Sequence, residues 1–344
     1  MFFKKKHETD QAESNPAWSR HLARLTLFDT FIIICNPIST DAHKAARRIQ
    51  DLKHLFPNAE HIVLNTVRGG RSANARHLAK YASKFGRRTL LCVAGGDGTM
   101  NMILHILLAE DKVGPDAAET VLLPLWGGNA NDLAFMLNGT PGKSLKPIFN
   151  KGRIVSVRPL ECALHRPHRT VTHFAACYAS FGASGFAMQE LERSIRQRSP
   201  MRQPAVTRFG QELVEVSRLL MRAPTFTVTE ENHRKVIFER IFLKGSRFAK
   251  IAAAPLKLNE PKFHRATAER KSLLTLLFRI AEIAQDRAGR RFGATYDSFT
   301  VHDDIWAQFD GETVRVPAGT HVEMRVGEQP FYALSTKLTP YADQ

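Results

Sequence analysis

The chain has 344 residues, 43% of them hydrophobic and 24% charged, with 49 Lys and Arg against 33 Asp and Glu, a formal net charge of +16. That composition excludes an intrinsically disordered chain, and no run of about 18 uncharged apolar residues is present to span a membrane as a helix. Four widely spaced cysteines, each in or beside an apolar run, form neither a disulfide framework nor a zinc-type spacing, and the positive charge draws polyanions without choosing among them.

Residues 1–24 are polar, charged and without period, which predicts a flexible N-terminal arm; Phe2 and Phe3 beside Lys4, Lys5 and Lys6 give it a tip suited to touch a membrane surface. The arm turns polar at once instead of continuing as a signal-type apolar stretch, so a cytoplasmic protein is expected. Residues 31–35 then form a continuous apolar run that stops at Asn36-Pro37, with Ser39 close behind, and 42–56 has helical spacing. A strand at 60–65 and a helix at 72–85 follow, separated by Gly69-Gly70. The unit recurs as a strand at 89–94, a turn at 95–98 and a helix at 99–110. A fourth buried strand at 121–125 leads through Gly127, Gly128 and Asn129 into a helix at 131–137. Strands that are apolar throughout, alternating with helices, predict a parallel sheet covered on both faces, an α/β domain over 25–153.

From 154 onward period-two segments dominate, at 154–158, 170–179, 225–229, 236–243, 298–301 and 313–316. They predict a β-rich sandwich domain over 154–335, followed by a C-terminal tail at 336–344. Two helical segments interrupt it, 209–222 and 271–287. In the second, Lys271, Thr275, Arg279, Glu282 and Asp286 share one narrow polar stripe, which leaves an apolar arc wider than a surface helix normally shows. That helix is expected to be buried on two sides or to face an apolar partner, with burial preferred. Arg193, Arg196, Arg198, Arg202 and Arg208, interrupted by prolines, predict a basic loop. It has too few aromatics for base stacking, so nucleic acid is not expected; it reads as a solvated surface or as an edge that docks on anionic membrane.

The chemistry concentrates at two places. Gly95-Gly96-Asp97-Gly98-Thr99 joins a buried strand to the start of a helix, where backbone N–H groups are unpaired and the helix dipole is positive, so an anion fits there. The glycines let the backbone approach phosphate oxygens, Thr99 can cap the helix and donate a hydroxyl, and Asp97 beside phosphates is suited to hold Mg²⁺ directly or through water. Near the other end, Asp310-Gly311 between two β-like runs is a strong hairpin signal and is followed by Glu312.

Taken in order, these segments resemble the lipid kinases related to diacylglycerol kinases and sphingosine kinases. Gly95-Gly96-Asp97-Gly98-Thr99 resembles their nucleotide signature, which NAD kinases and phosphofructokinases share in related form. The segment from Ile33 through Asn36-Pro37-Ile38-Ser39 resembles their first strand and Asn-Pro-x-Ser turn. Pro124-Leu125-Trp126-Gly127-Gly128-Asn129-Ala130-Asn131-Asp132 resembles their second glycine turn, and Phe309-Asp310-Gly311-Glu312 their late Asp-Gly-Glu.

The resemblance implies a parallel-sheet nucleotide-binding domain of the NAD kinase and phosphofructokinase type, followed by a β-rich sandwich that takes the acceptor. It implies ATP held by Asn36, Pro37, Ser39, Gly95, Gly96, Asp97, Gly98, Thr99, Gly127, Gly128, Asn129, Asn131 and Asp132, and Mg²⁺ held by Asp97 and Asp310. Glu312 becomes the base that takes a lipid hydroxyl's proton, with Asp97 and Asp310 completing the catalytic set. The implied activity is phosphorylation of diacylglycerol or a related lipid at a membrane surface by a peripherally attached cytoplasmic enzyme; a homodimer is left open. Met102 departs from the pattern where a Glu is usual, and Asn129 follows an extra glycine where a nucleotide-contacting Thr is usual. Two other readings stay open: an NAD-kinase-like phosphotransferase with a soluble acceptor, and a non-catalytic nucleotide- or polyanion-binding protein.

Overall fold

The computed structural model describes residues 28–37, 39, 42–109, 115–127, 131–139, 144–197, 205–244, 247–248, 251–252, 260–286 and 291–337. The expected N-terminal arm and C-terminal tail lie outside the described residues, apart from Thr336 and Lys337.

The first part of the chain alternates strands and helices: β1 (Thr30–Cys35), α1 (Ala42–Leu55), β2 (Glu60–Asn65), α2 (Gly70–Ala79), β3 (Thr89–Gly95), α3 (Asp97–Ala109), β4 (Val121–Trp126), α4 (Asp132–Asn138), α5 (Lys146–Lys151) and β5 (Arg153–Val157). Strands β1 to β4 pair in parallel in the order β2-β1-β3-β4. β3 and β4 are buried at every position, as strands covered on both faces must be, whereas the edge strand β2 is exposed or half-buried everywhere except at Leu64. From β1 the chain moves outward to β2 and then crosses back to β3 on the other side of β1, so the direction of travel reverses between β1 and β3.

The second part contains β6 (Leu160–Arg166), β7 (Arg169–Ala175), β8 (Tyr178–Gly182), α6 (Ala183–Gln197), α7 (Ala205–Arg222), β9 (Phe226–Glu230), β10 (His233–Ile237), β11 (Glu239–Leu243), β12 (Arg247–Phe248), β13 (Ile251–Ala252) and β14 (Phe263–Ala268). It continues with α8 (Leu273–Gln285), β15 (Gly293–Ala294), β16 (Tyr296–Val301), β17 (Ile305–Phe309), β18 (Glu312–Val316), β19 (His321–Val326) and β20 (Phe331–Ser335). Two antiparallel sheets, β10-β9-β16-β19-β6-β7 and β15-β14-β11-β8-β17-β18, share an apolar core that includes Phe181, Phe226, Phe242, Phe299 and Phe309.

The structure departs from the sequence reading in several places. The helix expected from residue 72 begins at Gly70 and stops at Ala79, because left-handed Gly69 (φ 106°) turns the chain into it early. The stretches expected as single strands at 170–179 and 236–243 are each broken in two, at Ala176-Cys177 and at Phe238. Strands β5 and β20 do not join the sandwich. β20 pairs in parallel with β4 and antiparallel with β5, so both ends of the segment expected as the second domain are hydrogen-bonded into the first sheet. α6 is a helix where none was expected: Arg193 and Arg196 are on it and Arg208 is on α7, so those three do not belong to a loop, while Arg198 and Arg202 lie outside the described residues. The link between the two parts is α3, which packs against β3 on one side and against β7 and β18 on the other.

Candidate active site

Three turns at the carboxyl ends of β1, β3 and β4 meet at the reversal point, the place where open parallel sheets hold ligands. The Asn36 N–H donates to the Ala94 carbonyl at 3.0 Å, and its Nδ2 donates to Thr99 Oγ1 at 2.9 Å. Ser39 Oγ donates to the Gly127 carbonyl, and the Gly127 N–H donates to Asn131 Oδ1 at 3.1 Å. A Cβ at Gly127 would come within 2.8 Å of the Gly95 nitrogen, so only glycine lets the second glycine turn lie on the first. Asn131 takes the left-handed conformation (φ 55°) that Asn tolerates, and α4 starts behind it. Asn36, Ser39, Gly95, Thr99, Gly127 and Asn131 are therefore joined in one place, with Pro37 exposed on the first turn and Gly96 accepting the Met100 N–H. Gly128 and Asn129 lie outside the described residues.

Asp97 is the first residue of α3, and its Oδ2 accepts the Asp132 N–H at 3.1 Å. It thus supplies an acceptor to the first N–H of α4, which has none within its own helix. The second part of the chain approaches the same spot through the β17–β18 hairpin. Asp310 and Gly311 have φ of 44° and 87°, the two positive values that a two-residue type I′ turn requires. A Cβ at Gly98 would meet the Gly311 carbonyl oxygen at 3.6 Å and the Glu312 nitrogen at 4.0 Å, so the hairpin tip rests on the first turn of α3. The turn itself is held by the Asp310 carboxylate, which accepts N–H groups from Ala176, Cys177 (3.0 Å) and Tyr178 (2.9 Å). This explains the break in the strand expected at 170–179: the backbone turns there to aim three successive N–H groups at one side chain.

Burial, then the charges of Asp132 and Asp310, push the Asp97 carboxyl up to about 8. Burial pushes Asp310 up to about 7 against the pull of its three N–H partners. Carboxylates in this condition lack positive charge. Among the described residues no three His, Cys, Asp or Glu side chains form a metal cage. Proteins usually hold Mg²⁺ through one or two carboxylates with water and phosphate oxygens supplying the rest, so Asp97 and Asp310 suffice in number, with both Asp310 oxygens already accepting backbone N–H groups.

Glu312 opens β18, and its Oε1 lies 3.5 Å from Arg71 Nη2 on the first turn of α2. Its Oε2 is buried with no hydrogen-bond partner among the described residues. Burial raises the Glu312 carboxyl, and Arg71 pulls it back down. Arg71 Nη1 is 2.6 Å from His105 Nδ1, and the Phe174 N–H meets His105 Nε2 at 2.9 Å. Burial, then Arg71 and His173, lowers His105 to about 2, and burial with Arg71 and Arg166 lowers His173 to about 4. Both imidazoles are therefore neutral near pH 7, and the carboxyl group that faces Arg71 is that of Glu312. Sequence reasoning missed Arg71; its only signal was the glycine pair that starts α2 early. Met102, in place of the expected Glu, packs half-buried against the apolar cluster around α3.

Residues 30–160, from β1 to the start of β6, match the family model of the diacylglycerol kinase catalytic domain. None of the curated proteins compared with the chain matches it. Two solved structures of a candidate diacylglycerol kinase from Bacillus anthracis str. Sterne are similar in fold. One has a TM-score of 0.58 at 16% identity over 90% of this chain and 97% of that one; the other has 0.56 at 17% over 90% and 98%. A yeast NADH kinase complexed with NADH gives a TM-score of 0.48 at 12% identity over 90% and 83%. At such identities the first two likenesses concern the fold, a parallel-sheet domain followed by a β-rich one.

Proposed function

We propose that the chain uses ATP and Mg²⁺ to phosphorylate a lipid hydroxyl, a reading supported by the match of residues 30–160 to the family model of the diacylglycerol kinase catalytic domain. The observation that carries the reading is the hairpin tip on α3: it brings a carboxylate with one unpartnered buried oxygen, Glu312, to the helix end best suited to hold phosphates.

In this reading the N–H groups of Asp97, Gly98 and Thr99, which lie in the first turn where a helix has no internal acceptor, bind phosphate oxygens. Asn36 and Ser39 tie the neighbouring turns together and keep the cradle in shape. Asp97 and Asp310 would hold Mg²⁺ with water, and the bound cation would neutralise phosphate charge. Glu312 accepts the hydroxyl proton at Oε2, while Arg71 holds Oε1 and offsets part of the rise that burial gives the carboxyl. In a loose phosphoryl-transfer transition state the alcohol loses its proton late, so a modest carboxylate base suffices and positioning supplies most of the rate. A lipid acceptor is supported by the domain match and by a net charge of +16, which draws the chain toward anionic surfaces. Among the described residues no helix is long and apolar enough to cross a membrane, so attachment would be peripheral.

The test offers diacylglycerol, a sphingoid base and NAD⁺ in parallel with ATP. Turnover is expected with a lipid, and Glu312→Gln is expected to lower kcat by about 10²–10⁴-fold with nucleotide binding retained. Turnover with NAD⁺ alone, or full activity in Glu312→Gln, would remove the reading.

A further inference from the structure

α8 is apolar around most of its circumference, yet only one face is covered. Leu276, Ile280 and Ile283 are buried, and the helix packs on β14. The opposite face exposes Leu274 (68%), Leu277 (42%) and Phe278 (69%), with Ala281 continuing the line. These positions are spaced i, i+3, i+4 and i+7, so they form one stripe along the helix. The wide apolar arc seen in the sequence is therefore not buried on two sides.

The stripe sits in basic surroundings. Arg270 and Lys271 are exposed just before the helix, and α7, which touches α8, exposes Arg218 and Arg222 together with Val214 and Met221. Among the described residues the acidic groups nearby are fewer: Glu282 is paired with Arg279 at 2.7 Å and with Arg291 at 3.6 Å, Glu215 is half-buried, Glu269 is exposed beside Arg270, and Asp286 at the helix end accepts the Arg291 and Phe292 N–H groups. A short helix with an apolar stripe beside arginine and lysine side chains has the form that lies in the plane of an anionic bilayer. A second copy of the chain fits poorly, because a two-fold contact through this stripe would set the same arginines against one another. The surface also connects to the chemistry: α7 packs on α6, α6 packs on β17 and β18, and Thr313 Oγ1 bonds Gln189 Oε1 at 3.0 Å, one residue from Glu312.

We propose that the outer face of α8, flanked by the basic side chains of α7 and residues 270–271, is the surface on which this protein rests against an anionic lipid bilayer. Leu274, Leu277 and Phe278 enter the boundary between headgroups and acyl chains, and the arginines meet lipid phosphates. The proposal rests on the reading of the acceptor as a membrane lipid, and the experiment separates the two.

The full chain is floated with phosphatidylcholine vesicles, with and without roughly one-third phosphatidylglycerol. Binding to the anionic vesicles is expected, and the double substitution Leu277→Ser/Phe278→Ser is expected to lower it by at least about tenfold. Arg218→Glu/Arg222→Glu is expected to abolish the preference for phosphatidylglycerol. Turnover on a short-chain lipid in detergent micelles should be unchanged in both variants. Wild type that does not float, a serine variant that floats as well as wild type, or a wild-type dimer that the serine variant dissociates would each overturn the proposal. Vesicle binding that depends on Leu277 and Phe278 in a protein that phosphorylates no lipid would sink the kinase reading and uphold the docking surface.

Discussion

The tip of the β17–β18 hairpin and the outer face of α8 differ in what they hide and what they show. At the tip, Asp310 is buried with its oxygens occupied by three backbone N–H groups. On α8, Leu274, Leu277 and Phe278 face outward, although equally apolar neighbours one turn away are buried. Apolar atoms on a protein surface are common, and buried carboxylates or contiguous exposed large side chains are the informative departures. The contrast teaches that a charge is kept inside only where the backbone is shaped for it, whereas an apolar stripe left outside needs a partner beyond the chain.

The largest effect should come from removing the charge but not its cage. Asp310→Ala leaves three buried N–H groups without an acceptor, and urea unfolding should report a loss of about 3–5 kcal/mol. Asp310→Asn keeps an acceptor and tolerates the left-handed turn, so it should cost less. An alanine variant as stable as wild type would break the polar half of the comparison.

On α8 the two faces should separate. Ile280→Ala should cost about 2–4 kcal/mol because it opens a cavity in the covered face.

A third test uses another buried acid. Glu239, the first residue of β11, accepts the N–H at 2.9 Å and the hydroxyl of Ser184 at the start of α6, and burial pushes its carboxyl from 4.5 up to about 8. Because the folded value lies above the unfolded one, its contribution is complete below the unfolded value and is lost as pH rises toward the folded one. Glu239→Gln does not titrate, so over that window the variant should gain on wild type by up to about 1.4 kcal/mol per pH unit. A flat difference would show that the buried acid is ionised throughout.

The smallest effect completes the contrast within α8. Leu277→Ala should change stability by less than about 0.5 kcal/mol, since the side chain touches little of the fold. A large loss there would show that the stripe is already covered within the chain.

Much of the site was legible in the sequence for local reasons. β3 and β4 appear as unbroken apolar runs because both faces of a parallel sheet are covered. Gly95 and Gly127 are legible because no other residue allows the two turns to touch. Asp310-Gly311 was read both as a hairpin turn and as part of the site; the structure forms the turn and rests its tip on α3. Arg71 was not legible, since its partner Glu312 lies far along the chain and no spacing connects them. Nor was the return of β20 to the first sheet, because a short apolar strand near the end of a β-rich segment carries no mark of which sheet it will join.

By itself the sequence determined the alternation of strands and helices in the first domain, the glycine turn into a helix at 95–99 and the hairpin at 310–311, because each follows from local backbone preference and short-range apolar period. Tertiary structure alone decided that Asp310 is caged, that Arg71 holds Glu312, that β5 and β20 close the first sheet, and that α8 exposes its second apolar face. Those outcomes depend on which surfaces meet across long stretches of chain, and periodicity records only that a face is apolar, not what will cover it.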